Sequence, residues 1–376
     1  MLVPLLLAAL ITAPPPPLQP SPAIPRGRDP WVFRCIFEDR TRMVILAPAE
    51  ELWVAFNPAT CAIQKVWKGE MLLRGKVWDF SQDNSAARGE ILAESPSLIW
   101  YLPDQPPSVT TSNRIDTDQP VPGRDAASRP HETKIIGARF DTQRQWVFDS
   151  DNASITSPTM DLSEWRNIFV AFDETSRRAP FHVELSPDDG QSWNAQSFDS
   201  TTHGTSETDW QWNFKQIEPH PKSARLRVVQ RNASHNKTLR DLRLFGDRPA
   251  WSATINSESY ELKPTWRGYT LDPVSQSCIL RFTFRLPDSA EVRVHHEFEA
   301  SILKSTGDIT LADRFEIAGL PAATSLELRL PIPARLADYR PSGSCELRSI
   351  SNKPTLIFRG NGPTTLVTVL KREAAR

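Results

Sequence analysis

The chain is punctuated into short apolar and aromatic runs that stop before a helix can form. "WVFRCIF", "RMVILA", "ELWVAF" and "AIQKVW" follow one another between Trp31 and Trp67, each six or seven residues long. Segments of that length, rich in β-branched and aromatic side chains, read as strands. The same rhythm resumes at "QWVFDS", "NIFVAFDE", "FHVELS", "ARLRVVQ" and "LRDLRLFG", and again at "CILRFTFRL", "EVRVHHEFEA", "SLELRLPI" and "TLVTVLKR". Proline is frequent, at 33 residues, which works against long helices and for ordered turns. Twelve tryptophans suit many thin sheets that need large side chains to fill them. The predicted fold class is all-β, as tandem β-sandwich or jelly-roll modules.

"ELWVAF" carries a sharper constraint. Leu52, Val54 and Phe56 share one face of a strand, and Trp53 and Ala55 share the other. Both faces are apolar, so the strand is expected to be covered on both sides.

Composition shifts divide the chain. Residues 1–23 contain the ten-residue apolar run "LVPLLLAALI", too short to span a membrane and similar to the apolar core of a secretory signal. Ala13 and the Ser21-Pro22-Ala23 triplet offer small residues for cleavage, although the run lacks a charged lead and Pro14 follows Ala13. Residues 24–29 then form a linker, and 30–102 a first β module. In residues 103–133, Pro103, Pro106, Pro107, Pro120, Pro122 and Pro130 stand among Ser, Thr, Asp and Arg, the composition of a linker with little to bury. Residues 134–248 are expected to form a jelly-roll sandwich and 249–376 a C-terminal β module. With 44 basic and 45 acidic residues, no broad basic face for nucleic acid is expected. No segment of the mature chain is expected to cross a membrane. Export places the protein in the periplasm or outside the cell.

Within the second module, "SPDDGQSW" has the form S-x-D-x-G-x-S-W, called an Asp box in sialidases. That family repeats it once per propeller blade; here it occurs once, and Tyr101, Tyr260, Tyr269 and Tyr339 do not cluster with an arginine triad. The motif is expected to be structural. Ser186 and Asp188 bond backbone amides, Gly190 supplies an unusual φ, and Trp193 packs over the hairpin as a core residue. In "WQWNF", Trp210, Trp212 and Phe214 alternate with polar residues, which reads as a core face before it reads as a sugar platform.

No signature of a nucleophile elbow, phosphate loop, dinucleotide fold, zinc protease or haem attachment is present. His295, Glu297 and Glu299 share a strand face and are ligands by type, but they read first as a solvated polar face beside a core face carrying His296 and Phe298, and no metal, cofactor or catalytic residue is assigned. Catalytic carboxylates drawn from distant strands would leave no sequence mark. Binding residues stay unknown without a sheet topology. The cysteines fall in two pairs, Cys35 with Cys61 and Cys278 with Cys345, and only one pairing keeps both bonds inside single modules. Two disulfides are therefore expected in an oxidising compartment. The alternative is four buried thiols, and Cys35 lies in phase with Trp31, Phe33 and Phe37 on a core face.

Two resemblances bear on role. Pro30 to Arg34, Leu52 to Asn57 and Lys65 to Gly69 resemble the opening of large secreted cytochrome c-containing proteins of planctomycetes. "WRGYTLDPVSQSCILRFTFRL" and "RFEIAGLPAATSLELRL" resemble a β-rich module later in the same proteins; together these cover about half the chain. The middle block resembles galactose-binding and MAM-like jelly rolls appended to secreted hydrolases. The cytochrome segment is missing here. The resemblance implies a non-catalytic binding or scaffolding part, with a polysaccharide or a secreted redox enzyme as partner. An accessory subunit for a c-type cytochrome or sugar dehydrogenase, and a glycoside-active enzyme with unrecognised carboxylates, are the alternatives.

Overall fold

The computed structural model describes residues 31–38, 40–49, 51–72, 84–102, 133–141, 145–174, 181–196, 199–202, 211–217, 221–231, 237–272, 277–303, 307–333, 337–350 and 353–370. The expected signal segment, the first linker, residues 103–132 of the second and Trp210 lie outside them, as do the side chains of Trp212 and Phe214. Every regular element described is a strand, so the fold is all-β.

The first block is a meander of β1 (Trp31–Phe37), β2 (Arg40–Ala49), β3 (Leu52–Asn57), β4 (Ala62–Leu72) and β5 (Asn84–Glu94). Neighbours pair antiparallel, and the last strand returns to the first in parallel, Ile36 opposite Asn84 and Phe37 opposite Ser85. The five strands thus close into a small barrel. Its interior holds Phe33, Phe37, Ile45, Trp53, Trp67 and Met71. Trp67 stacks on Phe37 at 5.3 Å and on Trp53 at 6.1 Å. A barrel this narrow needs one tight crossing, which falls at Gly69 and Gly89, directly opposed on β4 and β5. Their φ angles are 138° and 131°, and a Cβ on either would sit 2.3 or 2.2 Å from a backbone carbonyl oxygen across the pair.

The middle block contains β6 (Leu98–Tyr101), β7 (Lys134–Ile136), β8 (Ala138–Phe140), β9 (Trp146–Phe148), β10 (Ser154–Thr156) and β11 (Met160–Asp161). It continues with β12 (Arg166–Glu174), β13 (His182–Ser186), β14 (Asn194–Gln196), β15 (Asp199–Thr202), β16 (Gln211–Gln216), β17 (Ser223–Val229) and β18 (Lys237–Asp247). One sheet runs β14-β13-β17-β10-β7 with β11 beside β17; the other runs β15-β16-β12-β18-β9-β8 with β6 beside β18. Between them lies a core that includes Trp100, Phe148, Ile155, Phe172, Val183 and Leu244. β6 was expected in the first block. It pairs instead with β18, Leu244 opposite Trp100, because Trp100 is fully buried only in the middle core.

The closing block has β19 (Trp251–Ile255), β20 (Glu258–Glu261), β21 (Thr265–Asp272), β22 (Ser277–Arg285), β23 (Glu291–Ile302) and β24 (Ile309–Ala318). β25 (Thr324–Arg329), β26 (Ile332–Pro333), β27 (Ala337–Gly343), β28 (Cys345–Ile350), β29 (Lys353–Phe358) and β30 (Gly362–Leu370) complete it. Two sheets, β20-β19-β25-β29-β28 and β21-β22-β23-β24-β30-β27, enclose a core around Trp251, which touches Phe282, Phe284, Phe315 and Phe358.

The first and closing blocks are not separate beads. Leu52, Val54 and Phe56, on the outer wall of the barrel, belong to one apolar cluster with Trp251, Phe282 and Phe315. Phe56 lies 5.5 Å from Trp266, the Trp251 indole donates to the Cys61 carbonyl at 2.9 Å, and β26 pairs with β5. Burying one such side chain contributes about 1.5–3 kcal/mol, so a wall of several joins the two firmly.

Candidate functional site

The Asp-box turn joins β13 to β14. The Ser186 hydroxyl donates to Asp188 Oδ1 at 2.7 Å and accepts the Gly190 N–H at 2.7 Å. Asp188 also accepts the Ser192 N–H at 2.8 Å and the Ser192 hydroxyl at 2.6 Å. These bonds hold the Asp188 carboxyl down at about 2, with the Ser192 hydroxyl the largest cause. Gly190 has φ 94°. Trp193 differs from expectation: it is half-buried and outside the core cluster, its indole donating to the Gly190 carbonyl at 3.1 Å and the Arg227 guanidinium lying 4.0 Å over its ring. Arg227 and Arg231 both bind the buried Glu184 carboxylate. Asp188 is thus satisfied inside the turn by Ser186 and Ser192, and Asp189 pairs with Arg225 at 2.8 Å.

All four cysteines are free thiols, so the expected Cys35–Cys61 and Cys278–Cys345 bonds are absent. Cys35 packs with the barrel interior, whereas Cys61 belongs to the cluster outside the barrel wall; a strand separates them. Cys278 lies in the β22 sheet and Cys345 in the opposing one, its thiol donating to the Ser342 carbonyl at the end of β27.

On β23, His295 faces Glu316 at 3.5 Å, and Glu297 and Glu299 face Arg314 at 4.0 and 2.6 Å. All three side chains thus lie opposite charged side chains of β24. Their neighbour His296 lies on the other face of the strand, with Phe298. It points into the core, its Nε2 2.7 Å from Asp313 Oδ1 and its ring stacked on Phe315 at 4.2 Å. Its Nδ1 has no partner among the described residues. The signal was a histidine in the apolar phase of the strand, beside Val294 and Phe298.

A concavity lies where the middle and closing blocks meet. Its floor is the outer face of the β20-β19-β25-β29-β28 sheet, with Ser252, Ser259, Glu261, Glu327, Arg329 and Thr355; its wall is the Ser163–Glu164 turn before β12, and its volume is about 270 Å³. Register places Glu261 and Glu327 on either side of Ser252, two strand spacings or roughly 10 Å apart. Neither carboxylate hangs free. Glu261 is held in a two-point pair by Arg166 of the middle block, at 3.0 and 2.7 Å. Glu327 accepts the Thr254 hydroxyl at 2.6 Å and the Ser252 hydroxyl at 3.3 Å. The result is a rank of oriented acceptors and hydroxyls with one exposed guanidinium, Arg329, the equipment for binding a polar, many-hydroxyl ligand. None of these residues was singled out from sequence, because they come from four separated stretches.

Beside the cleft, and sharing Pro249 and Arg329 with it, is a second cavity of about 40 Å³ between the barrel and the closing block. No protein-family model, curated protein or solved structure matches the chain. What the fold and the cleft define is an all-β protein in which a closed barrel, a sandwich and a second sandwich meet around a polar groove.

Proposed function

We propose that this is an exported, non-catalytic binding or scaffolding protein associated with carbohydrate, and that the cleft over β19 and β25 is where the sugar is held. The observation that carries the reading is the lining: Ser252, Ser259, Glu261, Glu327 and Arg329 offer fixed donors and acceptors on a sheet face, two of them already oriented by Arg166 and Thr254. Hydroxyl-rich ligands are selected by such pre-placed groups, since each unmatched buried polar group costs about 1–3 kcal/mol. The resemblance to secreted cytochrome-containing proteins supports a place beside a secreted redox enzyme. The test is affinity electrophoresis of the full chain in gels cast with soluble polysaccharides. Retardation by at least one polymer, lost in Glu327→Ala, supports the reading; migration unaffected by every polymer sinks it.

Glu261 and Glu327, facing one another across β19, give a reason to ask about hydrolysis. Release of reducing ends from the retarding polymer, abolished by Glu327→Gln, would replace the binding reading with an enzymatic one.

A further inference from the structure

We infer that the ligand of the cleft is an acidic sugar, and that the small cavity beside the cleft takes its charged substituent. The inference rests on the carbohydrate reading above and adds the chemical class of the sugar. Three observations carry it.

Charge is the first. Among the described residues, the small cavity is lined by Arg248, Arg329 and Lys353 and by no carboxylate. The rest of its wall is neutral, with Thr60, Gln64 and Ser95 of the barrel supplying polar groups. Two of the three cations are already engaged, Arg248 by Glu164 at 3.8 Å and by the Trp165 ring at 4.7 Å, and Lys353 by a neighbouring group, so the cation open to a ligand is Arg329. Arg329 is the group that matters most. It is exposed, and no carboxylate lies within ion-pair distance of it among the described residues. A planar guanidinium in that position is suited to a two-point contact with a carboxylate or a sulfate.

Size is the second. A volume of about 40 Å³ holds a few waters or one compact oxyanion, but no sugar ring. The cleft, at about 270 Å³, has room for a ring. The two spaces therefore divide the ligand between them.

Continuity is the third. Both spaces share Pro249 and Arg329, so a ring above Glu327 and Ser252 can direct a substituent past Arg329 into the cationic cavity. The cleft's own acids do not repel it at full strength. Glu164 lies 3.8 Å from Arg248, Glu261 is paired with Arg166, and the Glu327 carboxylate is turned toward the Ser252 and Thr254 hydroxyls.

The experiment compares matched polymers on the full chain by isothermal titration at low salt. Polygalacturonate is set against its methyl ester, and dextran sulfate against dextran; the first pair presents a carboxylate and the second a sulfate. The expected result is at least tenfold tighter binding of the acidic member of one pair. Arg329→Ala and Lys353→Ala should reduce that preference, Arg329→Ala to near unity, while residual binding of the neutral member persists. Arg293→Ala, an exposed arginine on the other sheet, should change nothing. If neutral and acidic members bind equally, the inference fails and the carbohydrate reading stands. If an acidic preference survives Arg329→Ala unchanged, it belongs to another surface and the inference fails. If no polymer of either kind binds, both fail together.

Discussion

Arg40 and Asp247 are 207 residues apart in the chain and form a buried ion pair, Nε to Oδ1 3.1 Å, between the barrel and the middle sandwich. The same carboxylate accepts Asn57 Nδ2 at 2.9 Å and Asn167 Nδ2 at 3.1 Å, and Arg40 donates to the Gly246 carbonyl at 2.7 Å. One aspartate at the end of β18 thus ties together three strands of two blocks. Removing either charge strands the other away from water. Asp247→Ala and Arg40→Ala should each cost about 3–5 kcal/mol, and the double variant should cost less than their sum. Urea unfolding of the three variants measures this; losses below 1 kcal/mol for both singles would show that the pair is dispensable.

Lys65 is buried at the end of the barrel, its ammonium 2.9 Å from Glu94 Oε1 and also paired with Glu38. Burial raises the Glu94 carboxyl above the ordinary range, with Lys65 pulling it back. A carboxyl raised in the folded state holds its proton longer there than in the unfolded chain, so its contribution to stability falls as pH rises through that window. Lys65 works in the other direction at alkaline pH. Burial opposes its charge, yet Glu38 and Glu94 together raise it, and the stability it brings is complete below the ordinary lysine value and lost above the raised one. Lys65→Met should cost about 3–5 kcal/mol at pH 7.5 by leaving Glu94 uncompensated. The deficit should shrink near pH 4.5, where Glu94 can take up a proton. A deficit that is flat between the two pH values contradicts the assignment.

The Asp-box latch should open only in strong acid. Asp188 is depressed to about 2, so its contribution is present above the ordinary aspartate range and disappears as pH falls through about 2. The Ser192 amide proton, which bonds to it, should shift with a midpoint near 2 in an NMR titration, and Asp188→Asn should abolish the shift.

Trp193→Ala should cost about 1–2 kcal/mol, one surface cation–π contact and one hydrogen bond, rather than the larger cost of a core tryptophan. A loss above 3 kcal/mol in chemical denaturation would place its ring in the core after all.

The thiols should be slow to react. Burial pushes Cys35 and Cys278 up to about 12 and raises Cys61 and Cys345 as well, so little thiolate exists at neutral pH. Alkylation by iodoacetamide at pH 8 should label Cys345 first, since it is the least enclosed, and all four only after unfolding. A peptide map without reductant showing Cys35 joined to Cys61 would overturn the free-thiol arrangement.

Much of this was legible in the chain. Strand length, turn residues and the lack of a helical period fixed the all-β class, because those are local properties of a few residues. The double apolar phase of "ELWVAF" foretold that β3 would be covered twice, and it separates Trp53 and Ala55 inside the barrel from Leu52, Val54 and Phe56 outside. The bonds of Ser186, Asp188, Gly190, Ser192 and Trp193 in the Asp-box turn are written locally, spanning at most four residues, while Asp189 is tied to the distant Thr159 and Arg225. What covers β3 is a different matter. The outer partners of Phe56 are Trp266 and Phe282, more than two hundred residues on, and no periodicity near either records the meeting. The parallel closure of β1 on β5, the transfer of β6 to the middle sandwich and the Arg40–Asp247 tie were likewise decided only by tertiary structure. The cleft follows the same rule. Glu164, Ser252, Glu261, Glu327 and Thr355 are unremarkable in sequence, and become a site because sheet register sets Glu261, Ser252 and Glu327 in one row, places Thr355 opposite Arg329 two positions along, and packing between blocks brings Glu164 above them.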